Sequence, residues 1–219
     1  MSNHCTHQPY LSIVKHYEEC FDKYGDTHLG VDWPKPEDVI TRYQVMLDLL
    51  KYDTKKPKKS SLLDFGCGLA HFYDFIVEKT RKIDYSGLDI SKKFISQCRN
   101  KHPHNSFYCL DIFNSSNKIP IFDYIIMNGV FTEKRELSTS EMTAYLEKMI
   151  TIVFNKCKCG MAFNVMSKLV DWERSDLFHM PFDQLSNLIS KQLSRNFVIR
   201  HDYGLYEYTV YIYKKPNLP

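Results

Sequence analysis

The chain has 219 residues, of which 43% are hydrophobic and 25% charged, and its net charge is only +3. That length suits one domain with a sizeable core, and so small a charge carries no polyanion footprint, which argues against nucleic acid as a partner. No apolar run approaches the roughly 18 residues of a membrane span, and Met1-Ser-Asn-His-Cys-Thr-His7 lacks the basic-then-apolar order of a secretory signal, so a cytoplasmic protein without a membrane partner is expected.

In chain order, Ile13, Val14, Tyr17, Phe21 and Tyr24 recur at helical spacing. Pro36 suits the first turn of a second helix whose apolar face is Val39, Tyr43, Met46 and Leu50. A lysine-rich connector, Lys51 to Lys59, reads as a solvated linker. From residue 61 short strands alternate with helices. The strands are expected at 61–65, 83–88, 106–110, 122–128 and 159–165, with helices starting near Ala70, Ser91 and Thr139. Ser91 suits an N-cap, and Ser138-x-x-Glu141 reads as a capping box. A helix over 181–193 leads into runs at 196–201 and 207–213, close enough that only an antiparallel hairpin can join them. The expected fold is α/β: a Rossmann-like, mostly parallel seven-stranded sheet ending in an antiparallel hairpin. Residues 1–58 would form a helical cap and linker, and 59–219 one compact unit.

The seven cysteines, at 5, 20, 67, 98, 109, 157 and 159, are odd in number and irregular in spacing. They read as reduced thiols. Neither His4-Cys5-x-His7 nor Cys157-x-Cys159 has the second ligand pair that a structural zinc site needs, so no metal is expected.

The chemistry-bearing stretch is Ser61-Leu-Leu-Asp-Phe-Gly-Cys-Gly-Leu-Ala-His71. An apolar strand runs into the turn Gly66-Cys67-Gly68, where missing side chains let a ligand touch the backbone. Asp64 lies two residues before the first glycine. A dinucleotide fingerprint would need a small residue where His71 stands. Downstream, Ile83-Asp-Tyr-Ser-Gly-Leu-Asp-Ile-Ser91 ends a strand in Asp89, which can accept from both hydroxyls of a ribose or simply cap the next helix. Ile90 could pack on a base.

Leu63-Asp-Phe-Gly-Cys-Gly-Leu-Ala70 resembles motif I of the class I S-adenosylmethionine (SAM)-dependent methyltransferases, with Ala70 in place of the third glycine. The resemblance extends by motif over residues 60–165 and implies SAM as cofactor. It implies that Asp111 and Ile112, in Phe107-Tyr-Cys-Leu-Asp-Ile112, stand at the adenine, although a solvated turn acid is an alternative. It further implies that Asn128 and Gly129 face the methionine amino group. Gly129 replaces the first proline of the signature of amino-methylating DNA enzymes, which argues against base methylation by that route.

The acceptor pocket is expected beyond the carboxyl ends of the strands. Its candidates are Asp32, Trp33, Arg42 and Tyr43, then 131–134, then the long loop 166–179. His179 is the first candidate for general base, with Asp171 and Glu133 as rivals. Arg42 could fork onto the SAM carboxylate or lie on the surface. The expected activity is methyl transfer to a small-molecule acceptor, a hydroxyl or amine of a sugar or metabolite. Two alternatives stand beside it. One is a nucleic-acid or protein methyltransferase, suggested by the lysine cluster. The other is a non-catalytic SAM-binding protein whose tyrosine-rich hairpin (Tyr206, Tyr208, Tyr211, Tyr213) forms an interface.

Overall fold

The computed structural model describes residues 8–54, 58–77, 79 and 83–217; His4, Cys5, His7 and the middle of the lysine connector lie outside them. The amino-terminal helices are α1 (Leu11–Tyr24), α2 (Pro36–Leu47) and α3 (Leu49–Tyr52). Then β1 (Ser60–Phe65), α4 (His71–Val77), β2 (Ile83–Asp89), α5 (Lys92–Lys101), β3 (Ser106–Cys109) and the short α6 (Ile112–Ser115) alternate. They are followed by β4 (Phe122–Phe131), α7 (Thr139–Phe154), β5 (Cys157–Ser167), β6 (His179–Met180), α8 (Phe182–Gln192), β7 (Phe197–Arg200) and β8 (Glu207–Tyr213). The fold is therefore mixed α/β, with a mostly parallel sheet and an antiparallel carboxyl-terminal pair. No helix among the described residues is long and apolar enough to cross a membrane.

Local chemistry sets these boundaries. Pro36 occupies the first turn of α2. Ser91 accepts the Phe94 amide and starts α5, and the reciprocal Ser138–Glu141 capping box starts α7. Both are partners for helix-end amides that would otherwise go unpaired.

The sheet runs β3-β2-β1-β4-β5-β8-β7, with β6 pairing the end of β5. Strands β1 to β5 are parallel, and β8 is antiparallel to both β5 and β7. The two-residue β6 is absent from the sequence expectation, and it adds an eighth strand to the seven expected. Strand order reverses between β1 and β4. In an open α/β sheet that is where a ligand crevice forms.

Alternate residues of each strand feed opposite cores. On one side Leu63, Ile125 and Phe163 pack with Met142, Leu146 and Ile150 of α7. On the other Leu62, Tyr124 and Ala162 pack with Val39, Tyr43 and Met46 of α2. Helices α2 and α3 thus cover one face of the sheet directly, while Ile13 of α1 belongs to the other core. The tyrosine-rich strand is internal as well. The hydroxyl of Tyr211 donates to the Val45 carbonyl at 2.6 Å, that of Tyr213 to Leu49 at 2.9 Å and that of Tyr208 to Met180 at 3.1 Å. All three rings are buried, and only Tyr206 is exposed, so the hairpin does not offer the tyrosine interface considered from sequence.

Candidate functional site

A cleft opens at the β1/β4 reversal. Ten of the residues expected at the cofactor line it: Asp64, Gly66, Cys67, Gly68, Asp89, Ile90, Asp111, Ile112, Asn128 and Gly129. Gly66 (φ +74°) and Gly68 (φ +51°) turn the chain out of β1, and Ala70 takes φ +59°. The departure at Ala70 therefore carries backbone strain, because a residue with a Cβ prefers other regions. A Cβ on Gly66 would stand 2.7 Å from Cγ2 of Val130.

The amides of Gly66 and Cys67 donate to the Leu88 carbonyl at 2.7 and 3.0 Å, which ties the turn to the end of β2. Asp89 is fixed by two more amides. Gly68 donates to Oδ2 at 3.0 Å and Ser91 to Oδ1 at 2.9 Å. Desolvation pushes its carboxyl up to about 6, while those amides and that of Ile90 pull it down. Asp64 sits behind the turn, wholly buried. Burial raises it to about 7 even though the Tyr85 hydroxyl donates to it at 2.9 Å.

On the far side, Asp111 accepts from the Tyr10 hydroxyl at 2.7 Å and from the Phe113 amide at 2.9 Å, so it caps α6 as well as lining the cleft. Tyr10, Phe113 and Tyr145 make an aromatic wall beside it, with ring centroids 5.3 to 5.6 Å apart. Sequence reasoning misses Tyr10, because the helical stripe begins only at Ile13. Helix α1 closes this side with Ile13, Val14 and Tyr17. It is latched to the start of α5 by Ser91 Oγ–H donating to Glu18 at 2.5 Å and by Lys93 with Asp22 at 2.7 Å.

The fourth strand is irregular where it meets the cleft. Pairing of β4 with β5 shifts register between Met127 and Phe131, and Gly129 stands at φ +80°. Such a bulge re-aims the side chains around it. Asn128 Oδ1 is buried there without a hydrogen-bond partner.

The three base candidates separate. Glu133 follows β4 and is buried; it is off the cleft lining, with Oε2 3.0 Å from Arg135 Nε, and desolvation chiefly raises its carboxyl to about 7 while Arg135 pulls the other way. Its charge is felt by Tyr17, whose hydroxyl is pushed far up, mainly by burial. His179 is buried in β6, with Nδ1 2.6 Å from the Ser167 carbonyl, and does not line the cleft. Asp171 lies outside the cleft on the surface loop, accepting from the exposed Tyr206 hydroxyl at 3.1 Å. Arg42, expected on the cofactor carboxylate, is off the cleft lining too. Its Nε donates to Glu207 at 2.8 Å, and its guanidinium lies 4.6 Å from the Trp33 ring centroid. Trp33 and Tyr43 do line the cleft.

Among the described residues, one set of possible metal ligands gathers: His16, Cys20 and Asp32. Arg135 contacts both His16 and Asp32 and supplies that cluster's cation. Cys157 is buried at the start of β5, its thiol donating to the Phe154 carbonyl at 3.2 Å.

The family model described as "Methyltransferase domain" matches residues 63–152, from the glycine turn through most of α7. A Mycobacterium tuberculosis protein named "Putative methyltransferase Rv1506c" is 25% identical over 159 residues, which cover 70% of this chain and 93% of its own. The chain thus carries a methyltransferase domain over residues 63–152 and is similar to the class I SAM-dependent methyltransferases. SAM is its cofactor. The likeness to solved structures is one of fold. The methyltransferase resembles the SAM-bound magnesium protoporphyrin IX methyltransferase of Synechocystis PCC 6803, with TM-score 0.63, 15% identity, and 97% of this chain and 100% of that one covered. It also resembles a plantazolicin methyltransferase, BpumL, with TM-score 0.60, 15% identity, and 94% and 91% covered.

Proposed function

We propose that this methyltransferase holds SAM in the cleft between the glycine turn and Gly129 and methylates a small-molecule hydroxyl or amine. The observation that carries the donor half is Asp89. It is a buried carboxylate pinned by the Gly68 and Ser91 amides on the cleft wall, as a ribose-binding acid requires. The cradle fits the cofactor on two further counts: Gly66 leaves space that a Cβ would close, and Asn128 Oδ1 lacks a partner that an ammonium could provide. Asp89 then accepts the ribose hydroxyls, Ile90 and Ile112 flank the adenine, and Asp111 accepts from its amino group. Asn128 and the Gly129 backbone meet the methionine end.

When bound, SAM supplies a methyl on a sulfonium, which moves by in-line displacement to the acceptor. The chain's own work is to align, to exclude water and to manage the acceptor proton. Residues 8–54 serve as the cap over the cleft, with α1 as its near wall. For a hydroxyl acceptor, Glu133 is the base. It is buried just behind the cleft lining, its carboxyl is raised to about 7, and its charge is felt by Tyr17, which does line the cleft.

The magnesium protoporphyrin and plantazolicin enzymes that share this fold are named for bulky organic acceptors, which supports a small-molecule acceptor over a nucleic acid. The test is a panel of acceptors with Glu133→Gln beside His179→Gln. For a hydroxyl acceptor, E133Q should lower kcat by about a hundredfold or more, remove the pH limb near neutrality and leave affinity for S-adenosylhomocysteine (SAH) unchanged. H179Q should stay within a few-fold of wild type. A hydroxyl-methylating E133Q enzyme with full kcat would remove Glu133 from the mechanism.

A further inference from the structure

Five residues far apart in the sequence close into one ring behind Gly129. The Gly129 amide donates to Asn164 Oδ1 at 2.8 Å across 35 residues of chain. Asn164 Nδ2 donates to Glu207 Oε1 at 2.9 Å. Arg42 Nε donates to Glu207 Oε2 at 2.8 Å across 165 residues. The Arg42 guanidinium then lies over Trp33, and Trp33 returns to Gly129, where a Cβ would stand 3.0 Å from its Cζ2. Asn164 and Glu207 are completely buried, in β5 and β8. Gly129 and Trp33 line the cleft.

A buried ion pair is a poor source of stability, because an apolar set of similar volume usually does as well or better. This one ends on the amide of a positive-φ glycine, at the register break of β4, beside the unpartnered Asn128 side chain. On its other end it stacks on a cap residue. It therefore joins the sheet side of the cleft to the cap side through hydrogen bonds of fixed direction.

We propose that Asn164, Glu207 and Arg42 are positioning residues that hold the Asn128–Gly129 turn and Trp33 in register against the methionine end of the donor. None of the three touches the donor; they act through Gly129 and Trp33. The inference rests on the reading that the cleft binds SAM, and it adds that donor binding depends on the polarity of this buried ring.

The polarity can be inverted and restored. Asn164→Asp sets a second carboxylate against Glu207 Oε1 at a 2.9 Å contact, where both cannot stay ionised. Adding Glu207→Gln rebuilds every bond. The amide nitrogen introduced at position 207 would donate to the carboxylate introduced at position 164. That carboxylate would still accept the Gly129 amide, and the amide oxygen at position 207 would still accept from Arg42.

The measurement is SAH affinity by calorimetry at pH 8, together with the Trp33 fluorescence response to SAH in a Trp172→Phe background, where Trp33 is the sole remaining tryptophan of two. N164D should bind SAH about tenfold more weakly with a flattened Trp33 response. N164D/E207Q should return to within about threefold of the parent and regain the response. Wild-type affinity and response in N164D, or a double variant no better than the single, would overturn the proposal. Failure of the parent to bind SAH would instead refute the donor reading itself. Should N164D not fold, Arg42→Lys decides. It keeps the charge but loses the Nε donor and the stacking on Trp33, so the Trp33 response should be blunted, and an unchanged response with unchanged affinity overturns the proposal.

Discussion

Gly66→Val should leave a folded sheet and reduce SAH affinity by about a hundredfold or more. Two effects add. The residue stands at φ +74°, where a branched side chain is a genuine outlier, and the left-handed region costs an L-residue about 1–2 kcal/mol. The new Cβ would also meet Val130 at 2.7 Å, on the side of the turn that faces the cleft. Relief by moving Val130 disturbs the residue next to Gly129, so both walls of the cleft shift together. Gly66→Ala should lose less, since no branched atoms follow the Cβ. Titration calorimetry with SAH, with far-ultraviolet circular dichroism to confirm the fold, checks both. Wild-type affinity in G66V would show that the turn does not approach the donor.

Asp89→Ala should lower SAH affinity by a comparable amount, about a hundredfold. Charge-assisted hydrogen bonds contribute about 1.5–3 kcal/mol each, and each 1.4 kcal/mol is about tenfold. The alanine removes the ribose acceptor and frees the Gly68 and Ser91 amides that shape the turn. Asp89→Asn keeps one acceptor oxygen and should fall between alanine and wild type.

The same residue dictates a pH dependence. Without ligand, burial holds Asp89 at about 6, and ribose hydroxyls donate best to its ionised form. SAH affinity should therefore rise as pH rises through about 6, and D89N should lose that rise. The stability of the unliganded protein should run the other way. Asp64 and Glu133, both near 7, and Asp89 near 6 hold protons that the unfolded chain gives up around 4. Their stabilising contribution is complete below about pH 4 and lost as pH climbs through 6 to 7. Melting temperatures from pH 5 to 8, with and without SAH, should show ligand stabilisation growing with pH while these groups weaken the free protein. Identical profiles would contradict the carboxylate assignments.

The fold is readable because its signals are local. Strand–helix alternation, the capping box at Ser138 and the short Asp202–Tyr206 link before the last strand each follow from neighbouring residues, and each appears where expected. The places of Gly66, Asp89 and Gly129 on the cleft are readable for a similar reason: Gly66 follows β1, Asp89 ends β2 and Gly129 lies near the end of β4, and the order of these strands sets which segments meet at the crevice.

What escapes the sequence is long-range pairing between ordinary residue types. Nothing near Arg42 reveals that its partner is a glutamate 165 residues away, buried at the start of a strand whose alternation reads as half exposed. Residue type alone therefore directs Arg42 toward the cofactor carboxylate. His179 reads as part of an open lid because its loop is long and polar. Pairing of Met166 with His179 in β6 folds it into the sheet instead. Glu133 gains its interest only from burial, which a charged residue after a strand does not advertise.

The donor site turns on the carboxylate at the end of β2, and a crystal structure with SAH tests it most directly. Both ribose hydroxyls should lie within hydrogen-bond distance of Asp89, with the homocysteine end beside Asn128 and Gly129. Density for SAH elsewhere, or a ribose turned away from Asp89, would contradict the assignment.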